Sequence, residues 1–260
     1  MEGFKLRRSD RAQRATGGLI LQNFVKSFVD LLYPKTCQAC NKPIPIAAVD
    51  GVVCLSCWAG ISMNKPPFCH ACGRQLTRKD ISKNICSRCV RTPVSFDRAF
   101  SACVYDGTIK TLIQGFKYKD KQFLGTPLSK LLIEFIKSFD LPIGIVDCLI
   151  PVPLHNAKLR EREFNQSQIL CEQVGLAFEK PVLANNLFRY RATDTQASLE
   201  PHQRFLNVRG SFAVTEKSAI KGKNVLLIDD VLTTGATVSD AARALKDAGA
   251  NIVFVLTLAS

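Results

Sequence analysis

Several features that would place this 260-residue chain in a common functional class are missing from it. No stretch of 18 apolar residues occurs, so the sequence predicts no transmembrane helix. No G-x-x-x-x-G-K-[ST] loop is present, which argues against a P-loop NTPase. No G-x-G-x-x-G follows a predicted strand either, so the fingerprint of a dinucleotide-binding fold is absent.

Acidic residues are few relative to basic ones. The chain holds 22 Asp and Glu against 35 Lys and Arg, which gives a formal net charge of +13. An excess of this size suits a polyanionic partner, either nucleic acid or a phosphorylated small molecule. A basic surface that is merely solvated is the alternative.

A secretion signal is also lacking. The basic residues near the N-terminus are followed by an apolar stretch that Lys26 and Asp30 interrupt. Apolar residues recur there at helical spacing and predict an amphipathic helix that includes Leu21, Phe24, Val25, Phe28, Val29 and Leu32. We therefore expect a cytoplasmic protein, in a compartment where paired cysteines usually bind metal.

Cysteine is the residue type that is abundant, with 11 in the chain. Eight form C-x-x-C pairs: Cys37 and Cys40, Cys54 and Cys57, Cys69 and Cys72, Cys86 and Cys89. Two such pairs complete a tetrahedral Zn²⁺ site, and a site closed by four thiolates is structural rather than catalytic. Pairing in sequence predicts two zinc ribbons, while a cross-braced pairing of first with third and second with fourth, disulfides and idle thiols remain alternatives. Cys103, Cys148 and Cys171 lie in apolar surroundings and are expected to be buried thiols.

Composition divides the chain into three predicted segments. A basic tail and helix cover 1–35, a double zinc ribbon covers 36–92, and an α/β domain covers 93–260, with Thr92-Pro93 at the junction. In the last segment, strands are predicted over Ala99–Tyr105, Val146–Val152, Val225–Ile228 and Ile252–Leu258. Helices are predicted from Thr108, from an N-cap at Thr126 with Pro127 following, over Ser167–Leu176, and over Ser239–Ala248 with Gly249 as C-cap. This alternation predicts a mainly parallel, Rossmann-like sheet with helices on both faces.

The segment from Val225 to Thr237 carries the most specific signal. An apolar strand leads to Asp229 and Asp230 and then to a loop of small residues before a helix. Such a loop can aim backbone N–H groups at a phosphate, and the acids can accept hydrogen bonds from ribose hydroxyls or hold Mg²⁺. The predicted phosphate-binding residues are Val231, Leu232, Thr233, Thr234, Gly235, Ala236 and Thr237.

This loop resembles the signature of type I phosphoribosyltransferases, which bind 5-phosphoribosyl-1-pyrophosphate (PRPP) with Mg²⁺. The rest of the chain resembles the ComF family of competence-associated proteins, also described as GntX-like. The resemblance rests on the double ribbon, Tyr105-Asp-Gly, Phe116-Lys117-Tyr118, Pro151-Val-Pro-Leu-His155, and the run from Arg162 to Gln166. It also includes Arg191–Gln196, Leu199, Arg204, Asn207 and Phe212. Glu163 departs from the pattern, because glycine is usual there.

The resemblance implies roles for individual residues. Asp229 and Asp230 become the catalytic residues, and further phosphate or pyrophosphate contacts fall on Pro151, Val152, Pro153 and Arg162. Lys158 and Arg160 add charge to the same loop, and the segment 191–204 becomes a mobile flap or, alternatively, a solvated loop. Phe164 and Asn165 would orient that wall of the site, and His155 is more often structural than a base.

Two functions remain open from the sequence. One is Mg²⁺-assisted transfer of a 5-phosphoribosyl group from PRPP to an acceptor, within DNA uptake and in contact with proteins of the uptake machinery. The other is non-catalytic binding of single-stranded DNA, in which Trp58 and Phe68 stack on bases and basic ribbon residues contact phosphates. Those basic residues are Lys35, Lys42, Lys65, Arg74, Arg78, Lys79, Lys83, Arg88 and Arg91.

Overall fold

The computed structural model describes residues 35–44, 47–91, 93–191 and 209–260. The predicted N-terminal helix, Thr92 and the part of the predicted flap beyond Arg191 lie outside these residues. By packing, the chain divides into two units, Met1–Ser56 and Cys57–Ser260. The segment limits predicted from composition remain predictions.

The first unit contains a small antiparallel hairpin of β1 (Ala48–Val49) and β2 (Val53–Cys54). Asp50 and Gly51 both have positive φ, at 49° and 68°, and the N–H of Val52 bonds to the carbonyl of Val49. Two consecutive left-handed residues define the turn type that Asp-Gly favours in hairpins. The hairpin thereby brings Cys54 back toward the first cysteine pair.

The remaining elements follow in chain order. The helices are α1 (Leu55–Ala59), α2 (Ser87–Arg91), α3 (Gly107–Phe116), α4 (Gly125–Ser138), α5 (Asn156–Arg162), α6 (Gln166–Ala177) and α7 (Ala236–Asp247). The strands are β3 (Arg98–Cys103), β4 (Cys148–Pro151), β5 (Leu187–Arg189), β6 (Phe212–Val214), β7 (Asn224–Val231) and β8 (Ile252–Ala259). Short 3₁₀ helices occupy Ile81–Lys83, Lys119–Leu124 and Ile143–Ile145.

The main sheet has four parallel strands in the order β3-β8-β7-β4. The prediction of a mainly parallel sheet is therefore confirmed. Strands β5 and β6 form a separate antiparallel pair. Within the described residues, no helix is long and apolar enough to cross a bilayer.

Several predicted boundaries shift. Strand β7 continues through Asp229 and Asp230 to Val231, so the acids belong to the strand rather than to the loop after it. The predicted N-cap at Thr126 is wrong, because the 3₁₀ helix ending at Leu124 runs directly into α4. Helix α7 begins at Ala236, three residues before the predicted start, since Gly235 already serves as its N-cap.

Successive side chains of the central strands point to opposite faces of the sheet, and both faces are buried. Val225 and Leu227 face a core that includes Val238 and Leu245 of α7. The alternate residues pack on the opposite side, where Ile136 of α4 lies with Leu226, Phe254 and Leu256. Helices therefore cover both faces, as predicted, with α4 and α6 on one side and α7 on the other.

The second cysteine cluster belongs to this core rather than to a separate module. Cys69, Cys72 and Cys86 are buried in the same apolar cluster as the α7 face of the sheet. The ring of Phe68 packs edge-on against Phe135 and Phe139, with centroids 5.9 Å and 5.1 Å away. Phe68 is half-buried and its ring already packs on two aromatic side chains, so stacking on bases stays a prediction.

The segment before this cluster covers the outer edge of β3. The buried side chain of Asn64 donates hydrogen bonds of 3.0 Å to the carbonyls of Ser101 and Cys103. Its backbone N–H bonds to the carbonyl of Ala102, and the N–H of Val104 bonds to Ser62. These bonds satisfy backbone groups that an open sheet edge would leave unpaired.

Candidate functional site

Two clusters of four cysteines lie in the ribbon region. Cys37, Cys40, Cys54 and Cys57 form one, and Cys69, Cys72, Cys86 and Cys89 form the other. Within each cluster the sulfur atoms all lie within 4.8 Å of one another. The pairs are thus grouped in sequence, and the cross-braced alternative is wrong.

The donor sets fit structural Zn²⁺. The cysteines are all free thiols, so the disulfide alternative is not realised. In the second cluster, the hydrogen bond with Cys69 raises the pKa of Cys72 to about 12 and also raises the pKa of Cys89. Four crowded thiols cannot all ionise without a compensating cation, and tetrahedral Zn²⁺ supplies that compensation. His70 is exposed and belongs to neither group.

The three remaining cysteines are buried, as predicted. Burial raises the pKa of Cys103 to about 12 and also raises the pKa of Cys148 and of Cys171. A thiol that holds its proton so firmly is a poor nucleophile and a poor metal ligand. These residues therefore act as small apolar side chains.

The predicted phosphate loop lies beyond the end of β7 and before α7. The N–H of Leu232 bonds to the carbonyl of Ala259, which fixes the start of the loop to β8. Gly235 is the N-cap of α7 and has a φ of 84°, a conformation that residues with side chains disfavour. The structure brings Val231 to Thr237 together as one tight connection at the carboxyl edge of the sheet.

Three consecutive N–H groups of this loop are available to a ligand. No group among the described residues accepts a hydrogen bond from the backbone N–H of Thr233, Thr234 or Gly235. Thr233 is exposed, and Thr234 is half-buried. Adjacent N–H groups at the start of a helix form a site for an anion such as phosphate.

The two acids have different surroundings. Asp229 accepts hydrogen bonds of 2.9 Å from Ser167 Oγ and from the backbone N–H of Asp230. Burial first, and then the charge of Asp230, raises the pKa of Asp229 to about 7. Asp230 forms an ion pair with Lys117, whose Nζ lies 2.9 Å from Oδ2. The acids therefore offer oxygen ligands suited to hydroxyls or to Mg²⁺.

The predicted pyrophosphate loop lies beside the phosphate loop. Strand β4 pairs with β7, with Pro151 opposite Ile228, so both strands deliver their loops to the same edge. Asn165 Nδ2 donates to the carbonyl of Val152 at 3.1 Å, and its Oδ1 caps α6 at Ser167. Asn165 thus joins the helix that carries Ser167 to the loop, as the predicted orienting role requires.

Basic side chains converge next to the acids. Burial lowers the pKa of Lys158, and the positive charges of Arg162, Arg189 and Lys117 lower it further. Lys158 thus lies among three further cations, an arrangement that suits a multiply charged phosphate group. Arg160, by contrast, is exposed on α5.

Helix α5 explains two other predictions. His155 is its N-cap residue, and the Nδ1 atom accepts a hydrogen bond of 3.2 Å from the N–H of Ala157. This contact supports a structural role for His155. Glu163 is its C-cap and has a left-handed φ of 63°. Glycine adopts that conformation without strain, which explains the glycine expected at this position.

Four residues contact the site or its supports but were not predicted as site residues. Lys117 and Ser167 contact Asp230 and Asp229, and Arg189 is half-buried near Asp229. Arg74, predicted as a basic contact for DNA, instead donates to carbonyls of the phosphate loop. The motif Phe116-Lys117-Tyr118 was the sequence feature that could have identified Lys117. No sequence feature identified the other three residues, because their contacts join segments that are far apart in sequence.

Comparison with known proteins agrees with this architecture. The double zinc ribbon domain matches residues 28–90, and the phosphoribosyl transferase domain matches residues 177–260. Competence protein F of Haemophilus influenzae is 28% identical over 196 residues, which cover 74% of this chain and 84% of that protein. DNA utilization protein YhgH of Escherichia coli K12 is 28% identical over 230 residues, covering 88% and 98%.

Among solved structures, the allosteric regulatory enzyme of purine biosynthesis aligns with a TM-score of 0.35 and 18% identity. The alignment covers 52% of this chain and 26% of that one. The two domain matches and the two relatives carry the assignment without it. The chain therefore combines a double zinc ribbon with a phosphoribosyl transferase domain, as its resemblance to the ComF family implies, and is a homologue of competence protein F and of DNA utilization protein YhgH.

Proposed function

We propose that the chain binds PRPP, or a closely related phosphoribosyl ligand, together with Mg²⁺ at the carboxyl edge of its parallel sheet. The observation that carries the proposal is the combination of three groups at one edge. Free N–H groups of Thr233 to Gly235 suit the 5-phosphate, Asp229 and Asp230 suit the ribose hydroxyls and Mg²⁺, and the cations around Lys158 suit pyrophosphate.

Charge arrangement supports a ligand with several phosphates rather than a single anion. The acids and the cations are neighbours, because Lys117 contacts Asp230 and also lies close enough to Lys158 to lower its pKa. A ligand that carries a hydroxylated sugar between two phosphate-bearing ends matches that sequence of groups. If an acceptor also binds, fixed cations that stabilise the departing pyrophosphate would carry much of the catalysis of transfer.

Calorimetric titration of Mg²⁺-PRPP into zinc-replete protein tests the proposal. Wild type should bind, and Asp230→Asn should lose at least tenfold in affinity because it removes the charged ligand for Mg²⁺ (about 1.4 kcal/mol). Asp247→Asn, at the last position of α7, is the matched control and should bind like wild type. Absence of binding by wild type would overturn the proposal.

The names of the relatives point to a process. One is named for competence, and the other, DNA utilization protein YhgH, for the use of DNA. We propose that the phosphoribosyl site serves DNA uptake, in contact with proteins of the uptake machinery. Deletion of the gene and complementation with Asp230→Asn would test this, because a transformation defect that the variant fully repairs would exclude a role for the site.

Direct binding of single-stranded DNA is the second candidate. The observation that favours it is the group of exposed basic residues on the second ribbon: Arg78, Lys79, Lys83 and Arg88. A ribbon that contacts phosphates predicts that affinity falls steeply between about 50 mM and about 200 mM salt. Fluorescence anisotropy with a labelled oligonucleotide should show this fall and a smaller slope when the four residues become Gln. An unchanged slope would remove the ribbon from the binding surface.

A further inference from the structure

The second zinc ribbon contacts the phosphate loop through one side chain. Arg74 follows the knuckle formed by Cys69 and Cys72, and its guanidinium nitrogen Nη2 donates two hydrogen bonds to the loop. The acceptors are the carbonyl of Leu232 at 2.6 Å and that of Thr233 at 2.8 Å. Arg74 and these carbonyls are 158 and 159 residues apart in sequence.

These two carbonyls control the direction of the free N–H groups. In a trans peptide the C=O and the following N–H point in opposite directions. Holding the carbonyl of Leu232 toward Arg74 therefore turns the N–H of Thr233 away from the ribbon. The carbonyl of Thr233 does the same for the N–H of Thr234. Both N–H groups lack an acceptor among the described residues, so both remain free to bind a ligand.

Arg74 is itself held in place by the knuckle. The N–H of Cys69 bonds to the carbonyl of Arg74 at 2.7 Å, and the N–H of Ala99 on β3 bonds to Ala71 at 2.7 Å. Gly73 lies so close to β3 that a Cβ atom there would be 2.5 Å from the carbonyl oxygen of Ala99. The knuckle is thus fixed against the sheet, and the half-buried guanidinium extends from a rigid base.

We propose that Arg74 is a positioning residue that orients the N–H groups of Thr233 and Thr234 toward the 5-phosphate of a phosphoribosyl ligand. The proposal rests on the proposed function for its ligand, but the orientation of the loop is a property of the free protein. It gives the second ribbon a role in ligand binding that does not involve contact with the ligand.

The test compares Arg74→Met with Arg78→Met, which removes an exposed arginine from the same ribbon. Backbone ¹⁵N relaxation of the free protein reports the loop directly. In wild type and in Arg78→Met, Thr233 and Thr234 should have order parameters near about 0.85, and Arg74→Met should lower them below about 0.6. Zinc content and unfolding midpoint, measured alongside, separate this effect from loss of the ribbon.

Titration with Mg²⁺-PRPP is the second readout. Affinity should fall about tenfold or more in Arg74→Met and stay unchanged in Arg78→Met, since bonds to a charged donor contribute at this level. Arg74→Lys keeps the charge but has a shorter and more flexible side chain, so its affinity should fall between those of the two Met variants. It also replaces Arg74→Met in the test if that variant does not fold.

The outcomes separate the two proposals. If Thr233 and Thr234 have the same order parameters in both Arg74 variants as in wild type, the positioning role is overturned, whatever the ligand. If wild-type protein binds no PRPP but the order parameters of the loop still fall in Arg74→Met, the proposed ligand is overturned and the positioning role stands.

Discussion

Ser167 Oγ lies 2.9 Å from Asp229 Oδ1, and this hydrogen bond joins α6 to the C-terminal end of β7. Even with it, burial raises the pKa of Asp229 from 3.8 to about 7. The folded state therefore holds the proton more tightly than the unfolded state. The contribution of this group to stability is full below pH 3.8 and is lost as the pH rises to about 7.

We expect Asp229→Asn to be more stable than wild type at neutral and alkaline pH. The amide keeps Oδ1 as the acceptor for Ser167 and Asp230, and it removes a buried charge. Thermal unfolding of both proteins at about pH 5.5 and about pH 8 should show a larger advantage for the variant at the higher pH. An advantage that is equal at both values would show that Asp229 has an ordinary pKa.

Lys117 is expected to contribute to ligand binding. Lys117→Met removes one of four clustered cations and leaves Asp230 without its partner, so Mg²⁺-PRPP affinity should fall about tenfold or more. Lys110→Met, an exposed lysine on α3, is the control and should bind normally. Calorimetry decides, and equal affinities in the two variants would remove Lys117 from the site.

The two zinc sites should differ in their effect on stability. Cys40→Ser and Cys72→Ser each remove the second cysteine of a cluster, and each should lower the zinc content by about one ion per chain. Cys72 is part of the core of the sheet, so its variant should lose several kcal/mol of stability (~3). Cys40 belongs to the other unit, as do two more of the four cysteines in its cluster, so its variant should move the main unfolding transition much less.

Elemental analysis and scanning calorimetry provide both measurements. A main transition that moves equally in the two variants would contradict the unequal roles of the sites.

The native Glu163 is expected to make the folded protein less stable than glycine would at this position. Its φ of 63° is strained for a side chain, so Glu163→Gly should raise the free energy of unfolding by about 1 kcal/mol. Glu163→Gln keeps the strain and removes only the charge, and it should show no such gain. Both variants also remove the negative charge that follows Arg162 in the chain, so both should bind Mg²⁺-PRPP more tightly than wild type. Denaturant unfolding with titration distinguishes strain from charge.

The main features of the fold were predictable from the sequence because they depend on local patterns. Continuous apolar runs identified β4, β7 and β8, and the glycine at 249, with a φ of 97°, marked the end of α7. The elements α5, β5 and β6 were not predicted, because β5 and β6 have only three residues each and α5 is short and polar. The wrong N-cap at Thr126 arose because Leu124 ends a 3₁₀ helix without a break in the chain direction.

For the site, the residues that lie together in sequence were predictable and those brought together by folding were not. The acids and the loop after them occupy one strand-loop-helix unit, which the sequence displays directly. Lys117, Ser167 and Arg74 reach that unit from three other segments. A basic residue in a ribbon gives no local sign that it bonds to a carbonyl 158 residues later.

The strand order has a consequence for synthesis on the ribosome. Strand β8 lies between β3 and β7, and its residue Phe254 pairs with Arg98. These two residues are 156 positions apart in sequence (254 − 98). At ordinary translation rates β8 is therefore synthesised about 10 to 30 s after β3. During that delay the eight ribbon cysteines, up to Cys89, have already emerged. Zinc can therefore fold the ribbon while the nascent sheet is still incomplete, and Asn64 can shield one edge of β3 before the other is paired.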